Sequence, residues 1–551
     1  MKKRYFALLL CIIMVFALAA CGGGNGSNTG TNNNTAGSST DNSGSTTQTD
    51  SSSPTQGNNG GDNSNTSSSP TRDTLTIAIG ADPGSMDPAY VSGEILTATQ
   101  CIMEGMWDQA FTGELIMLLA TNIDYVAPDH WLIDLREGVK FNNGNPFTAS
   151  DVLFSLQIYR NSGTNATKAQ EIDLEKTVAI GDYQVDLYWE NYRTNQWGIL
   201  GDMWVFDEES YDPERASSDP IGTGPYKLAE SVVNSHYKLE RRDDYWGDLP
   251  QMKYLNFRVM AETSQVVNAL ETGNIDVGRI AISDIEYVSK LPNLYVKDRY
   301  EGNWLTIGFN IQEPSFFNHN TEARYAVCHA INTKVIMDLV YLGQATRMHS
   351  AITSTCLDYE PRFDDLHETY AVGFDLELAK KYADSSGLTG QNIVVITNGT
   401  EAHVAVAELI QYMLKEIGVN VSINNYDLAG YNAALKDYTS FDINIASAIN
   451  PGNRVAGTLA NGIRFYPDMQ IPGLWDQQEE MMGMMMNLFY EVDDQKRSDY
   501  NFEMFRLYAE SCYRYSLCDI KNSYAFASDL DYESMIYRLH GNTRYGFTTS
   551  S

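Results

Sequence analysis

Side chains that could carry out covalent or metal chemistry are scattered along this sequence rather than grouped. The eight His residues form no His-Glu-x-x-His motif and no i, i+4 pair, which are the patterns that bind zinc. Gly222-Thr-Gly-Pro225 lacks the Gly-Lys-Ser/Thr ending of a phosphate-binding loop, and the sequence has no Gly-x-Ser-x-Gly turn of a serine hydrolase. We therefore expect no enzyme activity, no bound metal and no cofactor.

A Met-rich run is the one segment whose side chains suggest soft-metal or haem ligation. Residues 480–486 read Glu-Met-Met-Gly-Met-Met-Met, and thioether groups bind soft metals. Unbranched Met side chains also fill irregular gaps in apolar cores. We therefore predict helical core packing for this run.

Four polar or aromatic residues lie at the predicted ends of two strands. Trp304 and Asn310 bound one strand, and Thr397 and Asn398 end another. Because ligands of open α/β sheets bind at strand ends, we predict contacts from these side chains to a small molecule. The 34 Tyr and 8 Trp of the chain offer further flat surfaces for such a pocket.

The elements that must position these residues alternate between strands and helices in the second half of the chain. The predicted strands span 73–80, 131–136, 183–189, 236–241, 253–260, 275–277, 304–310, 392–397, 419–426 and 441–446. The predicted helices span 94–107, 149–159, 263–272, 321–332, 334–342, 375–385, 401–417 and 428–437. The alternation beyond residue 304 predicts an α/β domain with a largely parallel sheet.

Length and charge limit the class of protein. A chain of 551 residues exceeds the roughly 250–300 residues at which one hydrophobic core stops growing, so we expect two or three domains. With 71 acidic and 38 basic side chains, the formal net charge is −33. This charge disfavours nucleic acid as a partner, because binding to phosphates needs clustered Lys and Arg.

The first 73 residues resemble a targeting sequence followed by a flexible tether. Residues 1–20 join a basic start to an apolar run too short to span a bilayer, which predicts a signal peptide. The run ends in Leu18-Ala-Ala-Cys21, which resembles a bacterial lipobox and predicts lipidation of Cys21 by diacylglycerol and palmitate. An ordinary signal peptide with an incidental Cys is the alternative. Residues 21–73 are rich in Gly, Asn, Ser and Thr, which predicts a disordered tether after the lipidated Cys.

The cysteines allow a disulfide without specifying it. Of the seven Cys residues, Cys11 leaves with the signal peptide and Cys21 is acylated, so an odd number remains. Cys512–Cys518 would close the shortest loop, but spacing alone does not establish a bond.

Several segments of residues 74–551 match one known family in sequence and in order. They are Met86–Tyr90, Met103–Trp107, Trp131–Val152, Asp219–Leu228, Asp244–Gly247, Ala269–Val277, Gly308–Asn310, Ala323–Asn332 and Phe374–Gly387. Together they resemble the bacterial extracellular solute-binding proteins of family 5, which serve peptide and nickel ABC importers. Their glycines and prolines mark turns of a scaffold.

The resemblance implies an α/β fold of the periplasmic-binding-protein-like type II class, in which two lobes close on a ligand by hinge motion. Lobe I is expected over 74–303 with an inserted subdomain at about 121–200, and lobe II over 304–505. Residues 506–551 are expected to return to lobe I.

The resemblance also places parts of the chain at the cleft between the lobes. The loop after the first strand is expected at its edge, with Met86 and Tyr90 lining the pocket. In peptide-binding members, the segment equivalent to 441–452 carries Gly-Trp followed by an Asp that pairs with the peptide ammonium. Here Ser447-Ala448 stands at the Gly-Trp position and Asn450-Pro451 at the Asp position. The predicted contacts Ser447 and Asn450 therefore supply no charge.

The expected function is that of the substrate-binding component of an ABC importer. The protein would be a monomer, lipid-anchored on the extracytoplasmic face of the cell membrane. It would deliver an oligopeptide-like solute to a permease with a separate ATPase. An oligosaccharide or a nickel chelate is the alternative cargo, and a sensor that presents its ligand to a membrane kinase is the alternative outside transport. A surface hydrolase lacks support, because no nucleophile or paired-carboxylate motif occurs.

Overall fold

The structure is a computed structural model. It describes residues 72–531 except 83, 91–95, 110–114, 128, 163–168, 191–198, 350–358, 360, 365, 367–368, 370–372, 450–479, 481–482, 485–486, 489–490 and 492. The predicted signal peptide, Cys21, nearly all of the tether, Cys356 and Asn450 lie outside the described residues. Within the described ranges, no helix combines the length and the apolar character needed to span a bilayer.

Strands outnumber helices in the described first half of the chain, whereas helices separate most of the strands from Thr321 onwards. The strands are β1 Thr74–Ile79, β2 Trp107–Gln109, β3 Leu115–Met117, β4 Ala120–Ala127, β5 His130–Leu135, β6 Val178–Ala179, β7 Gln184–Tyr188, β8 Tyr226–Val232, β9 His236–Arg241, β10 Tyr254–Val259, β11 Val277–Ile280, β12 Leu294–Phe309, β13 Ala345–Arg347, β14 Asn392–Thr397, β15 Asn420–Asn425, β16 Ile443–Ile449 and β17 Arg514–Ala527. The α-helices are Leu96–Gln100, Ala149–Asn161, Ile199–Asp202, Thr263–Glu271, Ile285–Val288, Thr321–Ala330, Thr333–Leu339, Leu376–Ser386, Glu401–Lys415, Leu428–Ala434 and Asp494–Ser511.

Among the described residues, eleven strands form one mixed sheet. Its order is β15-β14-β16-β12-β17-β11-β1-β10-β9-β8, and β13 also pairs with β17. β14 is parallel to β15 and β16, and β1 is parallel to β10 and β11. β12 and β17 run antiparallel to every strand they pair with. The prediction of a largely parallel sheet is therefore wrong, because the two long strands at its centre are antiparallel to their neighbours.

The two largest of the four hydrophobic clusters in the described part of the chain lie along this sheet. The first cluster includes Trp131, Phe147 and Phe257, and it also takes in the separate antiparallel sheet β4-β5-β7-β6. The second cluster includes Phe317 and Phe505, with Met484 of the Met-rich run packed against it. The other four Met residues of the run lie outside the described residues, so core packing of the whole run stays a prediction.

β12 and β17 contribute to both halves of the sheet. Leu305 and Ile307 of β12 lie in the second cluster, whereas Phe526 of β17 lies in the first. The pairing of the two strands shifts register between Tyr300 and Trp304 and again between Leu305 and Thr306. Such irregularities bend a strand and increase its twist, so the sheet changes direction where the two clusters meet.

Three of the family-like segments converge on one buried carboxylate. Glu104 accepts hydrogen bonds from Thr223 Oγ1 at 2.9 Å, Tyr245 Oη at 2.8 Å and Trp246 Nε1 at 2.9 Å. A buried carboxylate is stable only when its oxygens are satisfied in this way. These segments therefore build the scaffold of the first cluster, and the predicted helix over 94–107 is wrong beyond Gln100 because Glu104 is drawn into this network.

The cysteine pair that lies close in space differs from the pair with the shortest loop. The Sγ atoms of Cys328 and Cys512 are 2.9 Å apart and both residues are fully buried. Burial and the contact with Cys512 raise the pKa of the Cys328 thiol well above its usual value. Cys518 lies well along the extended strand β17, and at about 3.3 Å per residue this distance from Cys512 is too long for a bond.

Candidate functional site

A chain of three polar side chains joins the carboxyl ends of two parallel strands. Asn398 follows β14, Ser447 lies on β16, and His403 lies in the first turn of the helix Glu401–Lys415. His403 Nδ1 is 2.7 Å from Asn398 Oδ1, and His403 Nε2 is 2.8 Å from Ser447 Oγ. The structure thus brings together two predicted site residues, and we call this group the Asn398–His403–Ser447 chain.

The imidazole at the centre of this chain is held neutral. His403 is 5% exposed, and burial lowers its pKa below the usual value. Asn398 Oδ1 also accepts hydrogen bonds from the N–H and hydroxyl of Thr400, so it is the acceptor and Nδ1–H of His403 donates to it. Nε2 then accepts from the Ser447 hydroxyl, which is exposed and keeps its lone pairs for a ligand N–H or O–H.

The order Ser–His–Asn resembles a hydrolytic triad in connectivity, but its electrostatics differ. In the serine hydrolases a carboxylate stabilises the imidazolium that forms when the Ser proton is taken. Asn398 carries no charge, and burial disfavours the protonated form of His403. The arrangement is therefore suited to hydrogen-bonded binding rather than to activation of a nucleophile.

Trp304 lies next to this chain along the sheet. It pairs with Ala448 of β16, and its neighbour Leu305 pairs with Ser447. Trp304 is 5% exposed and lies directly after the first register shift of β12. The indole is thus placed where the two clusters meet, on the face of the sheet opposite to Ser447.

Asn310 lies at the other end of the sheet. It follows β12, which is antiparallel to β16, so the carboxyl end of β12 meets the amino end of β16. Its amide donates to the carbonyl oxygens of Tyr438 at 2.6 Å and Phe441 at 2.8 Å. The rule that ligands bind at strand ends misleads here because β12 runs against its neighbours, and these contacts favour a structural role for Asn310. Thr397 is likewise buried and donates to Asn425.

The loop after β1 carries the two side chains that were predicted to line the pocket, and one of them is accessible to solvent. Met86 is 1% exposed and packs in the first cluster, whereas Tyr90 is 49% exposed. A ligand can therefore reach Tyr90, but the Met86 side chain belongs to the core.

His403 was missed by the reading of the sequence, although a signal was present. It follows Asn398 by five residues, in the first turn of a predicted helix that begins directly after a strand. Polar residues in such strand–loop–helix connections often face ligands. Among the described residues, no group of three or more His, Cys, Asp or Glu is arranged to hold a metal ion.

Comparison with known proteins identifies the family. Residues 114–457 match the family described as bacterial extracellular solute-binding proteins, family 5. This match covers more than half of the chain. The chain belongs to this family. The α/β, two-lobed fold expected from the sequence is confirmed, because solved binding-protein structures share it over most of the chain.

Individual relatives in family 5 are distant. The oligopeptide-binding protein AppA of Bacillus subtilis is 24% identical over 313 residues, which is 52% of this chain and 57% of that protein. The match thus spans little more than half the length of that relative. The nickel-binding periplasmic protein of Escherichia coli is 24% identical over 387 residues, 66% of this chain and 73% of that protein. The structure of the ABC transporter substrate-binding protein CtaP from Listeria monocytogenes aligns with a TM-score of 0.76 and 20% identity, over 87% of this chain and 100% of that one.

Proposed function

We propose that this member of family 5 is the substrate-binding component of an ABC importer that captures an oligopeptide-like solute. The observation that carries the proposal is the Asn398–His403–Ser447 chain, whose exposed Ser447 lies on β16 close to where the two clusters meet. Pockets form preferentially at domain interfaces, with few polar groups placed to orient the ligand. The protein acts by binding and not by catalysis.

The two clusters are the cores of the two lobes in this proposal. Lobe I comprises 74–303, including the subdomain at about 121–200, and lobe II begins at 304, between the two register shifts of β12. The second cluster extends to Ile520, so we place the return of the chain to lobe I after Ile520 rather than at residue 506. Closure would bend β12 and β17 at the shifts and enclose the solute.

Delivery needs partners outside this chain. The closed, liganded form would dock on a permease that works with a separate ATPase, and the monomer would be held outside the membrane by lipid on Cys21. A preference of the permease for the closed form would convert solute binding into a signal of occupancy.

Peptide is the favoured cargo because the site is polar and neutral. The Ser447 hydroxyl, which donates to the neutral imidazole, can accept hydrogen bonds from amides without requiring a charged ligand. The similarity to AppA, named as an oligopeptide-binding protein, points the same way. A nickel chelate is the second candidate, because the nickel-binding relative matches a longer part of this chain.

Calorimetric titration of the full chain with a pool of di- to hexapeptides tests the proposal. We expect binding, weakened about tenfold by His403→Ala, because one buried hydrogen-bonded group contributes about 1–3 kcal/mol. Tyr412→Ala is the matched control, since Tyr412 lies on the same helix and is 65% exposed. Failure of every peptide to bind, or turnover of the peptides, would contradict the proposed function.

A further inference from the structure

Three basic residues occupy neighbouring positions on one face of the central strands. On β17, Tyr524 pairs with Arg279 of β11 on one side and with Lys297 of β12 on the other. The preceding residue of β17 on this face is Asn522, which pairs with Arg299 of β12. Residues directly opposite each other in antiparallel strands point to the same face of the sheet. These side chains therefore form one group, which we call the Arg279–Lys297–Arg299 face.

This face is open to solvent, whereas the opposite face of the same strands is covered. Arg279 and Lys297 are exposed, and Arg299 is half-buried. Ala525 of β17 points the other way and packs with Val288, from the helix that follows β11, in a third hydrophobic cluster. A small solute or an ion can therefore reach the basic face from solvent.

The paired positions of this face, as far as the structure describes them, carry no acidic residue. Asp298, which precedes Arg299 in the sequence, pairs with Ser523 and so lies on the opposite face. Arg279 Nη2 donates to Asn522 Oδ1 at 2.6 Å, and an amide oxygen accepts this bond without supplying negative charge. The bond draws the Arg279 guanidinium towards Asn522, the residue that Arg299 faces.

The gathering of three cations on this face needs a physical reason. Neighbouring strands lie about 4.8 Å apart, so the three basic residues start from positions within about 10 Å across β11, β17 and β12. The chain has 71 acidic and only 38 basic side chains, so such a group departs from the overall composition. An anion bound among the three would offset their mutual repulsion. Guanidinium groups hold the oxygens of a carboxylate or phosphate through paired hydrogen bonds.

The face also lies at the end of the sheet where ligands are expected. β11 is parallel to β1, and Arg279 is the last residue but one of β11. Ligands of open α/β sheets bind outside the carboxyl ends of parallel strands. The loop that follows β1 at this end carries the exposed Tyr90. An anion on the basic face would therefore lie at the same end of these strands as that loop.

We propose that the Arg279–Lys297–Arg299 face is an oxyanion site that binds a carboxylate or a phosphate group. Arg279 and Arg299 hold the oxygens of this group, and Lys297 adds a third positive charge beside them. Two sources supply this chemistry: a free inorganic anion, or an acidic side chain on the captured solute. In the second case the inference rests on the proposed function and names its substrate class, solutes with an acidic side chain.

Calorimetric titration with inorganic phosphate tests the first source. The full chain, without peptide, is titrated with sodium phosphate at constant ionic strength, so that general screening does not change. We expect saturable binding by the wild type, weakened about tenfold or more in Arg279→Gln and in Arg299→Gln, because each removes a charged donor. Lys290→Gln is the matched control, since it removes the same charge from an exposed side chain that pairs with Glu286.

Paired peptides test the second source. Each peptide is made in two forms that differ only by Glu or Gln at one internal position, and both are titrated into the full chain in a buffer without phosphate. We expect the wild type to bind the Glu form about tenfold or more tightly than the Gln form. Arg279→Gln and Arg299→Gln should lose this preference, and Lys290→Gln should keep it.

The two titrations separate the inference from the function beneath it. Phosphate binding or a Glu preference that both Arg variants remove supports the site and identifies its source. A wild type that shows neither, or Arg variants that keep what the wild type shows, overturns the site and leaves the proposed function standing if peptides of either form bind. Phosphate binding without any peptide binding overturns the proposed function alone. If Arg299→Gln fails to fold, Arg279→Gln and Lys297→Gln decide, because both side chains are exposed.

Discussion

His403 links two strand ends through a neutral imidazole, and its burial makes folding sensitive to pH. Its pKa is lowered in the folded chain, so the unfolded chain takes up a proton near its ordinary pKa of about 6.5 while the folded chain does not. His403 therefore adds to the free energy of unfolding above about pH 6.5. This contribution is lost as the pH falls towards the pKa that His403 has in the folded chain. We predict that His403→Gln loses less stability than the wild type between pH 7 and pH 5.

Urea unfolding of both proteins at the two pH values measures this difference. His329 is also buried with a lowered pKa, so part of the pH dependence should persist in the variant. His329→Gln should reduce the pH dependence in the same direction, although its imidazole contacts the Gly373 carbonyl oxygen and lies outside the candidate site, and the effects of the two variants should add. An unchanged pH dependence in His403→Gln would show that the imidazole takes up its proton over the same pH range in the folded as in the unfolded chain.

Cys328 and Cys512 are predicted to form the disulfide of this protein under oxidising conditions. Their Sγ atoms are 2.9 Å apart, and a disulfide needs only a small further approach to about 2.05 Å. Treatment with diamide would take two electrons and two protons from the two thiols and join them. Peptide mapping by mass spectrometry should then find Cys328 linked to Cys512, with Cys518 remaining free.

Cys518→Ser is the control for this prediction and should leave the cross-link intact. A Cys512–Cys518 cross-link instead would contradict the geometry of β17. Because the bond would close a loop of well over a hundred residues, we expect it to stabilise the protein by about 2–4 kcal/mol.

At the scale of elements, local patterns predict some segments and not others. The helix Glu401–Lys415 and the strands β14 and β15 match their predicted bounds within two residues, because the helix buries one face at helical spacing and each strand is a short run that contains β-branched residues. β17 was not predicted, since nearly all its residues are buried while Arg514, Asp519 and Lys521 give it a polar sequence. The same limit applies to the site: Asn398 follows from a strand end and Ser447 from the resemblance to the family, whereas His403 depends on which elements pack together.

The turn at Gly224 packs closely against the segment before β2. This contact gives a prediction at the scale of elements. The Gly224 N–H donates to the Ile102 carbonyl oxygen at 2.8 Å, and a Cβ on Gly224 would lie 2.7 Å from the Ile102 carbonyl carbon. We predict that Gly224→Ala destabilises the protein by about 1–3 kcal/mol, because backbone cannot move aside as a flexible side chain can. Gly483→Ala is the matched control, because no atom lies within 4 Å of its added Cβ.

Denaturant midpoints of the two Gly variants relative to the wild type check this prediction. Gly483 lies in a helical turn, where Ala is favoured over Gly by up to about 1 kcal/mol, so its variant should be neutral or more stable. Equal midpoints for Gly224→Ala and the wild type would mean that this turn packs less closely against Ile102 than these distances indicate.

At the scale of the whole molecule, the shared strands determine how the two clusters unfold. Multi-domain proteins commonly unfold in separate steps, but β12 and β17 supply side chains to both of the large clusters. Loss of either cluster would leave these strands without half of their packing. We therefore predict one cooperative transition in urea, with the same midpoint by circular dichroism and by tryptophan fluorescence.

Core truncations on either side of the junction test this coupling. Ile307→Ala removes a fully buried side chain from the second cluster, and Phe257→Ala removes one from the first; each should cost about 2–5 kcal/mol. If the clusters unfold together, both variants lower the same single midpoint. A peptide at a free concentration of a hundred times its Kd should stabilise the protein by about 2.7 kcal/mol and raise that same midpoint. Two transitions, of which each variant shifts only one, would show that the shared strands bend without coupling the lobes. Closure would then be a movement of two independently stable bodies.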